Sequence, residues 1–234
     1  MPIAVKRRMH PMTPLQKWIK VVLQTILVAE LIVAAWERNW FPLFLITLTI
    51  FLTLLPVLVR RRFDVYIPPE FEIAAITFIF AALFLGEIGG YYQRFWWWDV
   101  ALHTGAGFLL GLVGFLLVYV MNEQEDIAMI MKPGFVAFFS FSFAMALGAL
   151  WEIFEFAMDG FFGLNMQKSG LRDTMWDLIV DAVGAFVVAA WGYVYLKRPQ
   201  ERSFIDRWIT RFIEGNPHLF RRRRRRSSRS PRTD

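Results

Sequence analysis

The chain has no cysteine. That excludes disulfides, cysteine-ligated metals and thiol nucleophiles. Charge is sparse through its middle. Only 20% of the 234 residues are Asp, Glu, Lys or Arg, and much of that sits at the two ends. Several familiar catalytic signatures are also missing. There is no Walker phosphate loop, GxSxG elbow or HExxH zinc helix. Neither the Lys/Arg/His set of membrane acid phosphatases nor the DG–AR–D–D pattern of CDP-alcohol transferases occurs. The basic segment Met1–Lys20 carries Pro2, Pro11 and Pro14, and no small-residue cleavage site follows it. The first apolar span is therefore expected to be a signal anchor that is not removed.

What remains is apolar. Hydrophobic residues make up 56% of the chain, and mean hydropathy is +0.41. A secreted disulfide scaffold, a disordered chain and a soluble globular enzyme are all excluded by this balance. Six almost uncharged runs are long enough to cross roughly 30 Å of hydrocarbon. They are residues 18–36, 40–59, 71–92, 98–120, 134–157 and 174–196. Lipid offers the backbone no hydrogen-bond partners, so long continuous runs of this kind must be helical. The expected fold is all-α, a polytopic membrane helix bundle. Its divisions are a cytoplasmic segment at 1–17, two helices over 18–62, a motif-bearing four-helix core at 68–197, an amphipathic helix at 201–214 and a tail at 215–234.

Positive charge sets the expected orientation. With both termini in the cytoplasm, 22 of the 26 Lys and Arg residues lie inside. Arg38, Arg94, Lys168 and Arg172 lie outside, and Trp96, Trp97 and Trp98 mark the outer interface. The expected location is a bacterial or archaeal cytoplasmic membrane. Beyond the last span, Phe204, Ile205, Trp208, Ile209, Phe212 and Ile213 recur at helical spacing, opposite Asp206, Arg207, Thr210, Arg211 and Glu214. That pattern predicts a helix lying flat on the inner surface. Arg221–Arg226 and the Ser/Pro/Arg end are too polar to fold. The main reading of this tail is a topology determinant that is attracted to anionic lipid. Without interleaved aromatics, the Arg run argues weakly for nucleic acid.

Two stretches resemble each other. The first holds Glu87 in a GEI triplet, then Trp98–Asp99, His103 and Gly107. The second holds Glu152 in a WEI triplet, then Trp176–Asp177, Asp181 and Gly184. Each unit is a helical hairpin, formed by spans three and four and by spans five and six. Both enter the membrane from the same side, as in a parallel repeat with a pseudo-twofold along the membrane normal. Spacing of four puts Asp99 and His103 on one helix face, and likewise Asp177 and Asp181. Asp173 extends that second face, and Glu155 shares a face with Glu152. The twofold would gather Glu87, Asp99, His103, Glu152, Asp177 and Asp181 in the outer half of the bilayer.

Five carboxylates and one imidazole cannot sit together ionised and bare. A divalent cation or shared protons would relieve them. An oxygen-rich site with one His suits one or two ions of Mn²⁺, Mg²⁺, Zn²⁺ or Fe²⁺. Asp99, His103, Glu152, Asp177 and Asp181 are the expected ligands. His103, Glu87 and Glu155 are candidates for proton transfer. Lys168 and Arg172 are candidates for holding an anionic substrate group, with Gln167 and Asp173 as further candidates for substrate contact. Glu30 is expected to hydrogen-bond a neighbouring helix, and Asp159 to be a solvated helix end. Gly107 with Gly111, and Ala144 with Gly148, have the spacing of close helix packing.

Glu87, Trp97–Asp99 with His103, the WEIxEF of Trp151–Phe156 and the DTMWDLIVDAVGA of Asp173–Ala185 resemble the YjdF-like family of bacterial inner-membrane proteins. The similar region covers 68–197. The resemblance implies a polytopic inner-membrane protein and supplies no activity. A more distant similarity is to VanZ-like proteins, which are linked to glycopeptide resistance at the envelope. Three functions stay open. The first is a metal-dependent hydrolase or transferase acting on a lipid or lipid-linked headgroup. The second is a transporter of a divalent cation or protons through the same acids. The third is a non-catalytic scaffold, in which the six side chains would not converge.

Overall fold

The computed structural model describes residues 11–122, 131–197 and 204–217, with the side chains of 204–207 and 209 excepted. The Arg run and the end of the tail lie outside these residues, as does part of the expected 201–214 segment. Among the described residues every regular element is helical. The elements are α1 (Pro14–Trp36), α2 (Trp40–Phe63), α3 (Pro69–Ile88), α4 (Tyr91–Arg94), α5 (Trp96–Asn122), α6 (Pro133–Phe162), α7 (Leu171–Lys197) and α8 (Phe204–Gly215). Six of them, α1–α3 and α5–α7, are long and apolar enough to cross a membrane. The protein is a multi-pass membrane protein built as a helix bundle.

Local chemistry starts and stops these helices. Thr13 and Gln16 form a reciprocal capping box at the start of α1, with Pro14 in its first turn. Proline also opens α3 and α6, where a missing N–H costs nothing. Arg60, Arg61 and Arg62 lie in the last turn of α2 and favour its negative dipole end. The third span ends at Ile88, not at residue 92 as expected. Gly89 and Gly90 break it, Gly90 at φ +69°, and the chain makes the separate short helix α4. Glycine accepts that left-handed angle without strain. The last nine residues of α3, Phe80–Ile88, are wound as π-helix. Such wider turns are rare and frequent at functional sites. Helix α6 has 30 residues, or about 45 Å, and extends past any single hydrocarbon core.

Helices α5, α6 and α7 pack against one another along their lengths. Leu112, Phe115, Val118, Val136 and Val188 form the buried core between them. Leu27, Ala34, Ile46 and Phe80 form a second core joining α1, α2 and α3. Gln24 of α1 donates to Thr53 Oγ1 of α2 at 2.8 Å, and Lys20 pairs with the buried Glu72 of α3. Glu30 departs from expectation. It is exposed on α1 and bonds no neighbouring helix among the described residues, because the rotation of α1 turns Leu27 and Ala34 inward instead.

The crossing of α5 and α7 is close and nearly reciprocal. A Cβ placed on Gly107 would collide with the backbone of Asp181, and one on Gly184 would collide with the backbone of Thr104. Each helix thus presents a glycine to its partner's backbone, beside His103 on one side and at Asp181 on the other. Ser140 of α6 donates to the Gly111 carbonyl at 2.6 Å and ties the third helix in.

Helix α8 does not offer its whole apolar face to lipid. Trp208 stacks edge-on with Phe71 of α3, ring centroids 4.9 Å apart. Phe212 and Ile213 pack on the core of the bundle, and Arg211 pairs with Glu70. Buried Asn216 accepts from the Tyr66 N–H at 2.6 Å and donates to the Tyr66 and Phe212 carbonyls at 2.7 and 2.8 Å. These contacts lie at the end of the bundle opposite the acidic residues.

Candidate functional site

The acidic end is assembled by α5 and α7 around one imidazole. His103 has three carboxylates about it, divided between its two nitrogens. Nε2 lies 3.7 Å from Asp99 Oδ1 and 3.9 Å from Asp177 Oδ1. Nδ1 lies 3.5 Å from Asp181 Oδ1. The four-residue spacing brings Asp99 and His103 over one another, and the glycine crossing brings Asp177 and Asp181 to them. One ligand atom from each of Asp99, His103 and Asp177 fits within 4.8 Å of the others.

Glu152 and Glu155 approach from α6 and are buried. Glu152 has His103, Asp181 and Asp173 as charged neighbours. Those of Glu155 are Glu152, His103, Asp99 and Glu87. Glu87 comes in from the π-wound end of α3, with Lys168, Asp99 and Asp159 as its charged neighbours. All six aligned residues and Glu155 therefore face one region, and Asp99, His103, Asp177 and Asp181 form its contact core.

Two of these acids lack normal partners. Among the described residues, the carboxylate oxygens of Glu152 and Asp181 are buried without a well-formed hydrogen bond, and the nearest approach is that of His103 Nδ1 to Asp181 Oδ1 at 3.5 Å. Asp181 is 2% exposed and Glu152 4%. Buried charge without donors costs several kcal/mol, so this arrangement calls for a cation or protons. Gly148 makes room for one of them. A Cβ there would stand 2.5 Å from Asp181 Oδ2. Its small size thus serves the carboxylate as well as helix packing.

One cation of the chain already reaches in. Lys168 Nζ donates to Asp99 Oδ2 at 2.9 Å and sits 4.1 Å from the centroid of the Tyr92 ring. The Tyr92 ring in turn packs against Gly86, where a Cβ would strike it. Tyr92 belongs to α4, outside the spans. Burial and the facing Asp99, Glu87, Glu155 and Asp177 push its phenol well above the usual range. It stays an O–H donor at neutral pH.

The loop that carries Lys168 is held by acids that were read otherwise from the sequence. Asp159 is a clamp and not a solvated end. It accepts from the Met166 N–H at 2.7 Å and the Gln167 N–H at 2.9 Å. Asp173 accepts from the Lys168 N–H at 3.0 Å. Gln167 donates to Thr174 Oγ1 at 2.7 Å and toward the Glu152 carbonyl at 3.4 Å. Gln167 and Asp173 thus position the loop. Arg172 stays exposed and pairs with no acid among the described residues. Sequence reasoning missed Tyr92 and the clamp role of Asp159. The only signals were an aromatic after Gly89–Gly90 and an acid seven residues before the loop.

The donor set can hold a divalent metal. Asp99, Asp177 and His103 Nε2 converge, and the carboxylate oxygens of Glu152 and Asp181 await partners. Oxygen ligands with one imidazole suit a hard or borderline ion. With bonds near 2 Å, small side-chain rotations close the 4.8 Å spread onto one centre.

Comparison with known proteins agrees with the membrane architecture. No solved structure matches the chain. A Thermotoga maritima protein named only as uncharacterized is 28% identical over 132 residues, 56% of this chain. The match spans 65% of that relative's length. The VanZ-like similarity finds no support in these matches. The profile of a family described as "Predicted membrane protein (DUF2238)" matches residues 19–198, which takes in all the motifs quoted above. The chain belongs to this DUF2238 family, the one to which the YjdF-like motifs point.

Proposed function

We propose that the protein is a divalent-metal-dependent hydrolase or transferase acting on a lipid or lipid-linked headgroup. The observation that carries this reading is the Asp99–His103–Asp177 cluster with the buried carboxylates of Glu152 and Asp181 packed beside it. An ion bound there would polarise a phosphoryl or carbonyl oxygen or activate water. Asp99, Asp177 and His103 Nε2 are the ligands in this reading, and Glu152 completes them. Asp181 holds Nδ1 of the same ring and fixes its tautomer, as carboxylates commonly do behind metal-bound histidines. Glu155 and Glu87 take up or give a proton. Lys168 balances Asp99 and meets a substrate anion, beside the Tyr92 hydroxyl.

In this reading the acidic end faces outward in a bacterial or archaeal cytoplasmic membrane with both termini inside, a reading the distribution of positive charge supports. The Arg-rich tail then meets anionic lipid at the inner face. Transport is disfavoured by the packing. From Leu112 through Phe115 to Val118, the interior of α5–α7 is filled with buried apolar side chains.

Metal analysis of the purified protein tests the reading. Wild type is expected to carry stoichiometric Mn, Mg, Zn or Fe. The His103→Ala and Asp177→Asn variants should lose it while still eluting as folded protein. Metal-free wild type, after purification in a buffer containing those ions, would overturn the proposal.

A further inference from the structure

A cavity of about 200 Å³ adjoins the cluster. It lies among α2, α3, α5 and α6. Ala82, Leu83, Leu110 and Leu147 supply its walls, and Tyr92 and His103 stand at one end. His103 and Leu110 are seven residues apart on α5, so the cavity runs about 10 Å along the membrane-crossing direction. Water has few partners along such walls. Apolar cavities of about 150 Å³ in other proteins accept whole benzene molecules.

We infer that this cavity seats the hydrocarbon chain of an amphiphile whose polar group lies at Tyr92 and His103. The inference deepens the lipid-directed reading above and rests on it for the headgroup. Three features select a chain over other occupants. The cavity is apolar along its length and polar only where the acidic cluster begins. Its depth is measured along the helices, as a lipid chain lies. All of its lining except Tyr92 comes from the spans themselves, so the surrounding solvent is already hydrocarbon. Ala82 is the small residue in the wall, and it leaves the space that a larger side chain would fill.

The test uses the full chain in vesicles of phosphatidylethanolamine and phosphatidylglycerol. Two tracer phosphatidylglycerols carry a photoreactive diazirine, one near the glycerol and one midway along the acyl chain. Adducts are mapped by mass spectrometry. The near-head probe should label Tyr92 or Leu102, and the mid-chain probe Leu110 or Leu147. Ala82→Phe should reduce both sets about tenfold by overfilling the site, with bound metal unchanged. Should Ala82→Phe not yield folded protein, Leu147→Phe on the facing wall carries the same test. Labelling confined to outward-facing residues such as Val183 and Phe186 would overturn the inference. So would a reversed order of the two probes, or labelling unaffected by filling the cavity. Absence of cavity labelling in wild-type protein that carries its metal defeats the chain seat alone. Absence of metal in a protein that keeps its labelling defeats the metal reading alone.

Discussion

Gly107 sets its bare Cα against the backbone of Asp181, so the α5–α7 crossing and the acidic cluster are one construction. The imidazole of His103 meets Asp177 and Asp181 only because the helices come this close.

Enlarging Gly107 should therefore damage the site before it unfolds the protein. A Cβ at Gly107 has backbone on its far side, which cannot turn away as a flexible side chain can. Gly107→Val is expected to cost about 1–3 kcal/mol through overpacking. It should also separate Asp177 and Asp181 from His103. Thermal denaturation in detergent reads the first effect and bound metal the second. Full metal content in Gly107→Val would show that the crossing does not assemble the cluster.

Asp177 and Asp181 face different nitrogens of His103, so their loss should differ in degree. Asp181→Asn keeps an oxygen near Nδ1 and leaves the ligand set intact. It is expected to weaken metal affinity about 10–100-fold, as loss of an outer carboxylate does. Asp177→Ala should abolish stoichiometric binding. Titration against a competing chelator separates the two. Equal losses would mean that Asp181 binds the ion directly.

Lys168 holds Asp99 with an ammonium that a divalent ion would have to displace or tolerate. Their side chains are 27% and 20% exposed, so the pair is worth no more than about 1 kcal/mol. Lys168→Met should then tighten divalent metal binding about fivefold, the equivalent of that energy. The same substitution should raise KM for an anionic substrate. Unchanged metal affinity would indicate that Lys168 and the ion never compete.

The six spans were legible because hydrocarbon thickness imposes their length and apolarity. Their ends were less so, as the break after Ile88 shows. The cluster was legible through spacing: Asp99 with His103, and Asp177 with Asp181, share faces on any α-helix. Rotation about the helix axes was not legible. These spans are apolar nearly all round, so periodicity does not say which side faces the protein. Hence Glu30 turned out exposed, and the partners of α8 came as a finding. Long side chains were the other gap. Lys168 reaches 69 positions back in the chain to Asp99, and nothing near it in sequence shows the direction.

Asp159 has a consequence for chain length. By gripping the Met166 and Gln167 amides, it fixes how much backbone spans the turn from α6 to Lys168. One residue inserted between Gln167 and Leu171 would displace the chain by up to about 3.5 Å, more than the whole Lys168–Asp99 bond. The connection therefore works as a measured spacer, and it tolerates changes of side chain at its exposed tip more readily than changes of length.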